Sequence, residues 1–335
     1  MMRLPKFEYR AARSVAEALD WMGEFSGAVD KDPSARAMLM AGGTDVLPNM
    51  KQRIFTPQVI VGLRAIPELR GMVYDPAQGL RIGAGVPLNE LATAPLVREH
   101  YPALAIAAEA ISTPQLREMG TIGGNLCLDT RCNYYNQSEF WRKAREYCLK
   151  KGSEICRVAP NGTGCYAVSS CDTAPVLIAF GATVRIASRE GDRIAPVRDL
   201  YHDDGIHPVR LHAGEVLTDI YLPALADGWR STYEKYRVRG SFDFPIAGVA
   251  AAARFDDAIC TEARLVLQAV TTHPLPLPEA EALLIGQRWT PELIEAAAGI
   301  AYKSAHPMDN TSGTIALRRR IVKAYTRRAL EKLVA

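Results

Sequence analysis

Six of the seven cysteines in this 335-residue chain lie in one stretch of the sequence. They are Cys127, Cys132, Cys148, Cys156, Cys165 and Cys171. Crowded thiolates bind zinc or iron–sulfur clusters, whereas disulfides belong mainly to secreted proteins. No two of these cysteines have the C-x-x-C spacing of zinc ribbons or of compact ferredoxin motifs. The segment therefore predicts a metal or iron–sulfur site of a less common kind.

Four thiolates suffice for a [4Fe–4S] cluster or a tetrahedral zinc ion, so two of the six cysteines are spare. We predict the inner four as ligands, because they share a polar stretch, about residues 128–168, that looks like one inserted loop. We expect the outer two, Cys127 and Cys171, to be small buried residues. None of the six histidines lies in this stretch, so ligation would be all-sulfur. An iron–sulfur cluster is favoured, while zinc and unliganded thiols remain open.

Two further segments, residues 41–45 and 121–125, each contain a pair of adjacent glycines, and the second has a small polar residue on each side. Paired glycines let the backbone approach a ligand closely, and free amides in such loops can bind an anion. Together the two loops predict a diphosphate held from opposite sides by backbone donors, with plain glycine turns as the alternative. The nearby Gly83-Ala84-Gly85 lacks the third glycine of a dinucleotide fingerprint, which disfavours a nicotinamide site.

The composition and length of the chain indicate its general class. The chain is 48% hydrophobic and 23% charged, as in globular proteins, and its length favours two domains. A net charge of +3 without a long basic run gives no reason to expect nucleic-acid binding. Residues 1–13 contain no signal-peptide core, and the longest apolar run, residues 174–182, is too short to span a bilayer. We therefore expect a cytoplasmic protein without a membrane span.

Local patterns place the glycine loops and the cysteines among regular elements. A capping box at Ser14–Glu17 predicts a helix up to residue 25, and a buried strand, residues 36–40, precedes the first glycine loop. Residues 46–51 are predicted as a helical turn, and helical composition is also seen at residues 138–150. Residues 182–186 and 193–197 are predicted as paired strands around Gly191-Asp192. A change of composition near residues 223–228 divides the chain into predicted domains 1–224 and 225–335. The second is predicted as an α+β module. Its last helix, residues 314–333, is basic, which indicates a solvated face or a subunit contact.

The motifs quoted above, together with Asp172-Thr173-Ala174-Pro175 and the C-terminal Arg327-Arg328-Ala329-Leu330, carry a family resemblance. Over nearly its whole length the chain resembles the FAD-binding medium subunits of the xanthine dehydrogenase, or molybdenum hydroxylase, family. The resemblance implies an α+β fold of two domains. The first would be an FAD-binding domain of the vanillyl-alcohol-oxidase type and the second the flavoprotein C-terminal domain.

The resemblance also implies the FAD contacts. Asp172 would meet the ribityl chain or the polar part of the flavin, with Leu217 and Lys235 near the isoalloxazine ring. The diphosphate would lie between the two glycine loops, formed by Ala41, Gly42, Gly43, Thr44, Asp45, Thr121, Ile122, Gly123, Gly124 and Asn125.

The long insert distinguishes this chain from most members of the family. It resembles the β-subunit of 4-hydroxybenzoyl-CoA reductase, whose extra loop holds a [4Fe–4S] cluster. The spacing C-x15-C-x7-C-x8-C of Cys132, Cys148, Cys156 and Cys165 agrees with that enzyme. Subunits of aldehyde oxidoreductases, or of other molybdenum hydroxylases of aromatic compounds, are the second possibility, although their cluster loops are spaced differently.

On this resemblance the chain is an electron-transfer subunit without catalytic residues of its own. A large subunit would carry the molybdopterin cofactor and a small one two [2Fe–2S] clusters, assembled as a dimer of heterotrimers. Reduced ferredoxin would be the electron donor, and the basic residues near the insert could steer it, with a solvated helix face as the alternative. These are Lys143, Arg145, Lys150 and Lys151. Two alternatives are a free-standing flavoprotein with a structural zinc loop and a non-catalytic scaffold.

Overall fold

The computed structural model describes residues 2–25 and 36–335. The strands in these ranges are β1 (Glu8–Ala11), β2 (Ala37–Met40), β3 (Val59–Gly62), β4 (Met72–Asp75), β5 (Gly79–Gly83), β6 (Thr183–Ala187), β7 (Arg193–Pro196), β8 (Val216–Leu222), β9 (Trp229–Tyr236), β10 (Ala247–Asp256), β11 (Ile259–Gln268) and β12 (Leu275–Pro276). The α-helices are α1 (Val15–Phe25), α2 (Val46–Lys51), α3 (Leu88–Thr93), α4 (Pro95–His100), α5 (Pro102–Glu109), α6 (Pro114–Arg117), α7 (Ile122–Leu126), α8 (Glu139–Ala144), α9 (Thr173–Ala179), α10 (Pro278–Leu284), α11 (Pro291–Ser304) and α12 (Ile315–Val334).

The chain begins with a small parallel sheet in the order β1-β3-β2. Helix α1 packs on it and begins where the capping box predicts, because the Ser14 hydroxyl accepts a hydrogen bond from the Glu17 amide at 3.1 Å. The predicted strand before the first glycine loop is β2, and the predicted helical turn after the loop is α2. The sheet thus ends directly at the first glycine loop.

A second sheet, antiparallel and ordered β4-β5-β8-β6-β7, forms the body of the first part of the chain. The predicted pairing of the strands on either side of residues 191–192 is confirmed as β6 with β7. Helices α3, α5 and α9 cover this sheet and share its apolar core. Tyr101 closes the core, stacking edge-on against Phe180 while its hydroxyl donates to the Pro223 carbonyl at 2.8 Å. These antiparallel strands differ from the parallel sheet of a nicotinamide-binding domain.

The last part of the chain is an antiparallel sheet ordered β12-β11-β10-β9, with α10, α11 and α12 packed on one face. Strand β10 is rich in alanine and buried on both faces. Because successive side chains point to opposite faces, Ala250 and Ala252 join the core of the first part. Val249, Ala251 and Ala253 join the core beneath the helices. Small side chains on β10 therefore let the two parts pack closely.

The basic helix α12 differs in one respect from the expected solvated face. Arg320, Arg327 and Arg328 are exposed, but Arg318 is fully buried. Its guanidinium donates to the carbonyls of Ile246, Met308 and Ala269 and to the Asn310 side chain. Burial lowers the pKa of Arg318 to about 10. This arginine fixes the end of the sheet to the helix, which residue type alone did not indicate.

The insert between α7 and α9 contains one short α-helix, α8, and a short 3₁₀ helix at Leu149–Lys151. Ser138 caps α8 by accepting a hydrogen bond from the Trp141 amide, but the helix ends at Ala144, earlier than the helical composition of residues 138–150 suggests. The reason is local, since Glu146 and Tyr147 both adopt left-handed φ angles of 55° and 57°. Across residues 2–25 and 36–335, no helix has the length and apolarity needed to cross a membrane.

Candidate functional site

A cavity of about 1020 Å³ lies between the two glycine loops. Its walls also include the strand β9 and the loop 239–244 that follows it. A volume of this size is at the upper end of ordinary ligand pockets. The two segments predicted to face one ligand therefore do face one cavity.

The first loop supplies free backbone donors. Gly43 adopts a left-handed φ of 71°, which glycine tolerates best, and any side chain at Gly42 would overlap the Met119 carbonyl of the facing segment. The amides of residues 42–45 have no hydrogen-bond partner in the described part of the chain. Successive free amides around a turn form an anion-binding concavity. This loop can therefore hold a diphosphate by its backbone, as the sequence predicts.

The second loop is built differently from the prediction. The amides of Ile122, Gly123 and Gly124 already donate to protein oxygens at 3.0, 2.9 and 3.1 Å. The expectation that both loops present free backbone donors is therefore wrong for the second loop. Gly123 serves close packing, because a Cβ at this position would lie 2.7 Å from the Ala84 side chain. On this side of the cavity, the side chains of Thr121 and Asn125 line the wall and can contact a ligand.

The structure brings all but one of the predicted FAD contacts to the cavity wall. Ile122 is the exception, because its side chain is fully buried in the apolar core and does not line the cavity as expected. The predicted residues on the wall are Ala41, Gly42, Gly43, Thr44, Asp45, Thr121, Gly123, Gly124, Asn125, Asp172, Leu217 and Lys235.

Asp172 forms a buried ion pair with Lys235 at the base of the cavity. The Lys235 ammonium lies 2.9 Å from one carboxylate oxygen, and the Tyr233 hydroxyl donates to the other at 2.7 Å. Burial and the neighbouring Asp172 carboxylate raise the pKa of Tyr233 well above its usual value. Both carboxylate oxygens thus have protein donors, and the ammonium neutralises the charge of the carboxylate beside any ligand.

Arg131, which the sequence analysis did not single out, enters the same cavity from the insert. Its guanidinium donates to the Asp45 carboxylate and lies 4.2 Å from the centre of the Phe244 ring. Its Nε is buried and has no hydrogen-bond partner among the described residues. Arg131 thus balances the negative charge that the Asp45 carboxylate would otherwise place on the cavity wall. Residue spacing could not reveal this pair, since 86 positions separate its members.

The four inner cysteines lie together around a second, small cavity inside the insert. Cys132, Cys148, Cys156 and Cys165 all line it and all are buried. Burial raises the pKa of Cys132 to about 12 and that of Cys165 to about 11. Among the described residues, no three His, Cys, Asp or Glu side chains converge closely enough to hold a single metal ion. The donors are all thiols and are arranged around a shared space.

The two outer cysteines lie outside this cavity and differ from each other. Cys171 is buried, as expected, and its thiol donates to the Asn125 side chain at 3.1 Å. Burial raises the pKa of Cys171 to about 11. The expectation that Cys127 is buried is wrong, because this residue is exposed on the wall of the large cavity. It follows a short helix that turns its side chain towards the ligand space.

The basic residues of the insert also divide into two groups. Lys143 and Arg145 are exposed, as expected of a steering surface. Lys150 is not, because only 5% of its side chain is accessible and its ammonium lies 2.5 Å from the Asp129 carboxylate. Lys151 is partly buried and donates to the Ile54 carbonyl at 3.0 Å. Only the first two can therefore contribute fully to an exposed positive surface.

Comparison with known families agrees with this architecture. Residues 5–225 match the family described as FAD binding domain in molybdopterin dehydrogenase. Residues 231–333 match the CO dehydrogenase flavoprotein C-terminal domain. The chain therefore belongs to the FAD-binding medium subunits of the xanthine dehydrogenase and CO dehydrogenase family.

Individual relatives are similar over almost the full length. The carbon monoxide dehydrogenase medium chain of Hydrogenophaga pseudoflava is 28% identical over 97% of this chain and 96% of its own. The nicotine 6-hydroxylase medium subunit of Paenarthrobacter nicotinovorans is 26% identical over 98% of both chains. A solved structure of the Hydrogenophaga enzyme superposes with a TM-score of 0.79 at 28% identity, covering 98% of each chain. The two-domain α+β fold expected from the sequence is thereby confirmed.

Proposed function

We propose that this chain is the electron-transfer subunit of a molybdenum-containing reductase of the 4-hydroxybenzoyl-CoA reductase type, carrying FAD and a [4Fe–4S] cluster. The observation that carries the proposal is the second cavity, whose wall contains all four inner cysteines. These are the cysteines whose spacing resembles that enzyme's β-subunit. We also propose that the large cavity is the FAD site, called the FAD cavity below, and it adjoins the insert at Arg131.

We favour a cluster over zinc because the spacing of the four cysteines resembles that of a β-subunit whose loop holds a cluster. A tetrahedral zinc ion takes four thiolates at about 2.3 Å, and a [4Fe–4S] cluster takes one thiolate on each of its four irons. The four thiols line one small cavity and would supply all-sulfur ligation to either group, so iron and sulfide content is the deciding measurement.

The remaining parts of the proposal follow from the family. FAD exchanges one or two electrons and a [4Fe–4S] cluster exchanges one, while the protein positions them. The chain holds the cofactors, and the removal of the substrate's phenolic hydroxyl takes place on a large molybdopterin subunit. A small subunit with two [2Fe–2S] clusters completes a heterotrimer, which pairs into a dimer of heterotrimers in the cytoplasm.

We also propose a division of the chain into an FAD domain, residues 1–224, and a C-terminal domain, residues 225–335. The cluster loop, about residues 128–168, is inserted in the first. Supporting this division, the five-stranded sheet ends with β8 and the four-stranded sheet begins with β9. Ion pairs such as Asp172–Lys235 join the two parts.

The electron donor is proposed to be a reduced ferredoxin. The supporting surface is the exposed end of α8, where Lys143 and Arg145 flank the largely exposed Phe140. Neutralising both basic residues in the complex should slow ferredoxin-linked reduction at low salt and have less effect at high salt, because salt screens exposed charges. An unchanged rate at low salt would remove the docking proposal while leaving the cluster untouched.

A second candidate is the FAD subunit of a molybdenum hydroxylase that oxidises another substrate. The observation in its favour is the set of relatives, which includes medium subunits of carbon monoxide dehydrogenase and nicotine 6-hydroxylase. Assay of the purified complex with 4-hydroxybenzoyl-CoA and a low-potential reductant, beside aldehyde and N-heterocyclic substrates, separates the two candidates.

The cluster is tested by Cys148→Ser, with Cys260→Ser as the matched control outside the insert. We expect Cys148→Ser to lose iron and acid-labile sulfide while FAD content stays at the wild-type level. Cys260 is buried beneath the C-terminal helices, so its replacement should change neither iron nor flavin. Iron that is unchanged in Cys148→Ser rejects the ligand assignment.

A further inference from the structure

Lys150 occupies an unusual position in the wall of the cysteine cavity. Its ammonium is withdrawn from solvent and donates to the Thr130 hydroxyl at 2.6 Å and the Gly205 carbonyl at 2.7 Å. It also lies 4.6 Å from the centre of the Tyr135 ring. A buried lysine carries a large desolvation cost, so its position requires an electrostatic partner.

One partner of this ammonium is the Asp129 carboxylate, and the two charged groups line different cavities. Lys150 lines the cysteine cavity, whereas Asp129 lines the FAD cavity. The Asp129 carboxylate accepts from Lys150 on one oxygen and from the Tyr135 hydroxyl on the other at 2.9 Å. The positive end of the pair therefore faces the thiols and the negative end faces the flavin site.

The Lys150 ammonium and the four thiols line the same small cavity, so the charge lies beside any group that the thiols hold. Any negative charge added in the cysteine cavity is stabilised by the same ammonium, strongly so because little water screens it there. The charge and solvent exposure around an iron–sulfur cluster are among the factors that set its potential.

We propose that Asp129 and Lys150 form an oriented charge pair that raises the reduction potential of the cluster relative to that of the flavin. The inference rests on the proposed function, because it needs a cluster in the cysteine cavity. With a cluster held in the cysteine cavity, an external low-potential donor would supply the one electron of the reduction, and no bond would change. Lys150 stabilises the added charge, and Asp129 limits that stabilisation by partly neutralising the ammonium.

The test is a redox titration of the purified holo-complex, with dithionite as the reductant and the reduced cluster followed by electron paramagnetic resonance. Lys150→Met removes the positive charge and should lower the midpoint by at least a tenfold change in the reduction equilibrium, equivalent to 59 mV for one electron. Asp129→Asn removes the opposing charge and should raise the midpoint. Lys143→Met, at an exposed site, should leave it unchanged.

The two opposite signs distinguish tuning from a structural role, which would not produce them. Midpoints that stay within error of wild type, or that move in the same direction in both variants, overturn the inference. If Lys150→Met does not retain iron, the midpoint of Asp129→Asn is the deciding measurement. A midpoint that is unchanged or lowered in that variant overturns the inference. Wild-type complex without iron in this subunit overturns the proposed function itself, an outcome that iron analysis detects before any titration.

Discussion

The buried pair Asp172–Lys235 gives the strongest stability prediction, because it lies where the FAD-binding part meets the C-terminal sheet. Each side chain is only 4% exposed. The Lys235 ammonium also donates to the Ala110 carbonyl at 3.0 Å. In Lys235→Met the lysine stem is replaced by a chain of similar shape, and the Asp172 carboxylate keeps only the Tyr233 hydroxyl as a donor.

The magnitude follows from the burial of the remaining charge. Removing one partner of a buried ion pair typically costs about 3–5 kcal/mol, because an uncompensated charge stays in the interior. For units of this size each kcal/mol corresponds to roughly 2–4 °C, so we expect Tm to fall by roughly 6–20 °C. Lys323→Met is the matched control, since its pair with Glu295 is half exposed and should contribute only about 0–1 kcal/mol.

The assay is thermal and urea unfolding of the FAD-free protein, followed by circular dichroism, so that flavin binding adds nothing to the measured stability. The double variant Asp172→Asn/Lys235→Met removes both charges and should be more stable than Lys235→Met alone. A loss below about 1 kcal/mol in Lys235→Met, or a double variant that is no more stable than the single one, would refute the reasoning.

Three further predictions concern the FAD cavity. Gly42→Ala should abolish FAD retention, because its methyl group would overlap the backbone of the facing loop, whereas Gly240→Ala has open space. Arg131→Met should weaken FAD binding about tenfold or more in fluorescence titrations, the effect expected for one charge-assisted hydrogen bond. The bidentate Arg193 guanidinium lowers the pKa of Glu215. This pair therefore stabilises the fold above about pH 4.3, the unfolded value, and the contribution is lost as pH falls through the lowered folded value. In Glu215→Gln, Tm should therefore fall less steeply as the pH is lowered, which flattens the acid limb of the plot of Tm against pH.

Each of these predictions has a contradicting result. Normal flavin content in Gly42→Ala would show that the two loops separate without cost. Unchanged FAD affinity in Arg131→Met would show that its guanidinium serves only Asp45. An acid limb that keeps its slope in Glu215→Gln would assign the loss of stability to other carboxylates.

The sequence predicted features that depend on local pattern. The capping box of α1, the strand before the first glycine loop and the pairing of β6 with β7 all follow from residue type and spacing. The meeting of the two glycine loops at one cavity was also predicted, because paired glycines let the backbone approach a ligand closely.

Features that depend on distant contacts were not predictable in the same way. Spacing did not show that the amides of the second loop are already bonded, since their acceptors lie on neighbouring segments. Nor did it show that Lys150 turns inward to Asp129, because a run of basic residues normally indicates a solvated face. The end of α8 was missed because two non-glycine residues there, Glu146 and Tyr147, adopt left-handed angles.

The most direct test of the central claim is the ratio of iron, acid-labile sulfide and FAD in this subunit, isolated without oxygen from its complex. The account predicts about four iron and four sulfide for each FAD, held by Cys132, Cys148, Cys156 and Cys165. One zinc per chain, or a full complement of FAD with no iron, would contradict it.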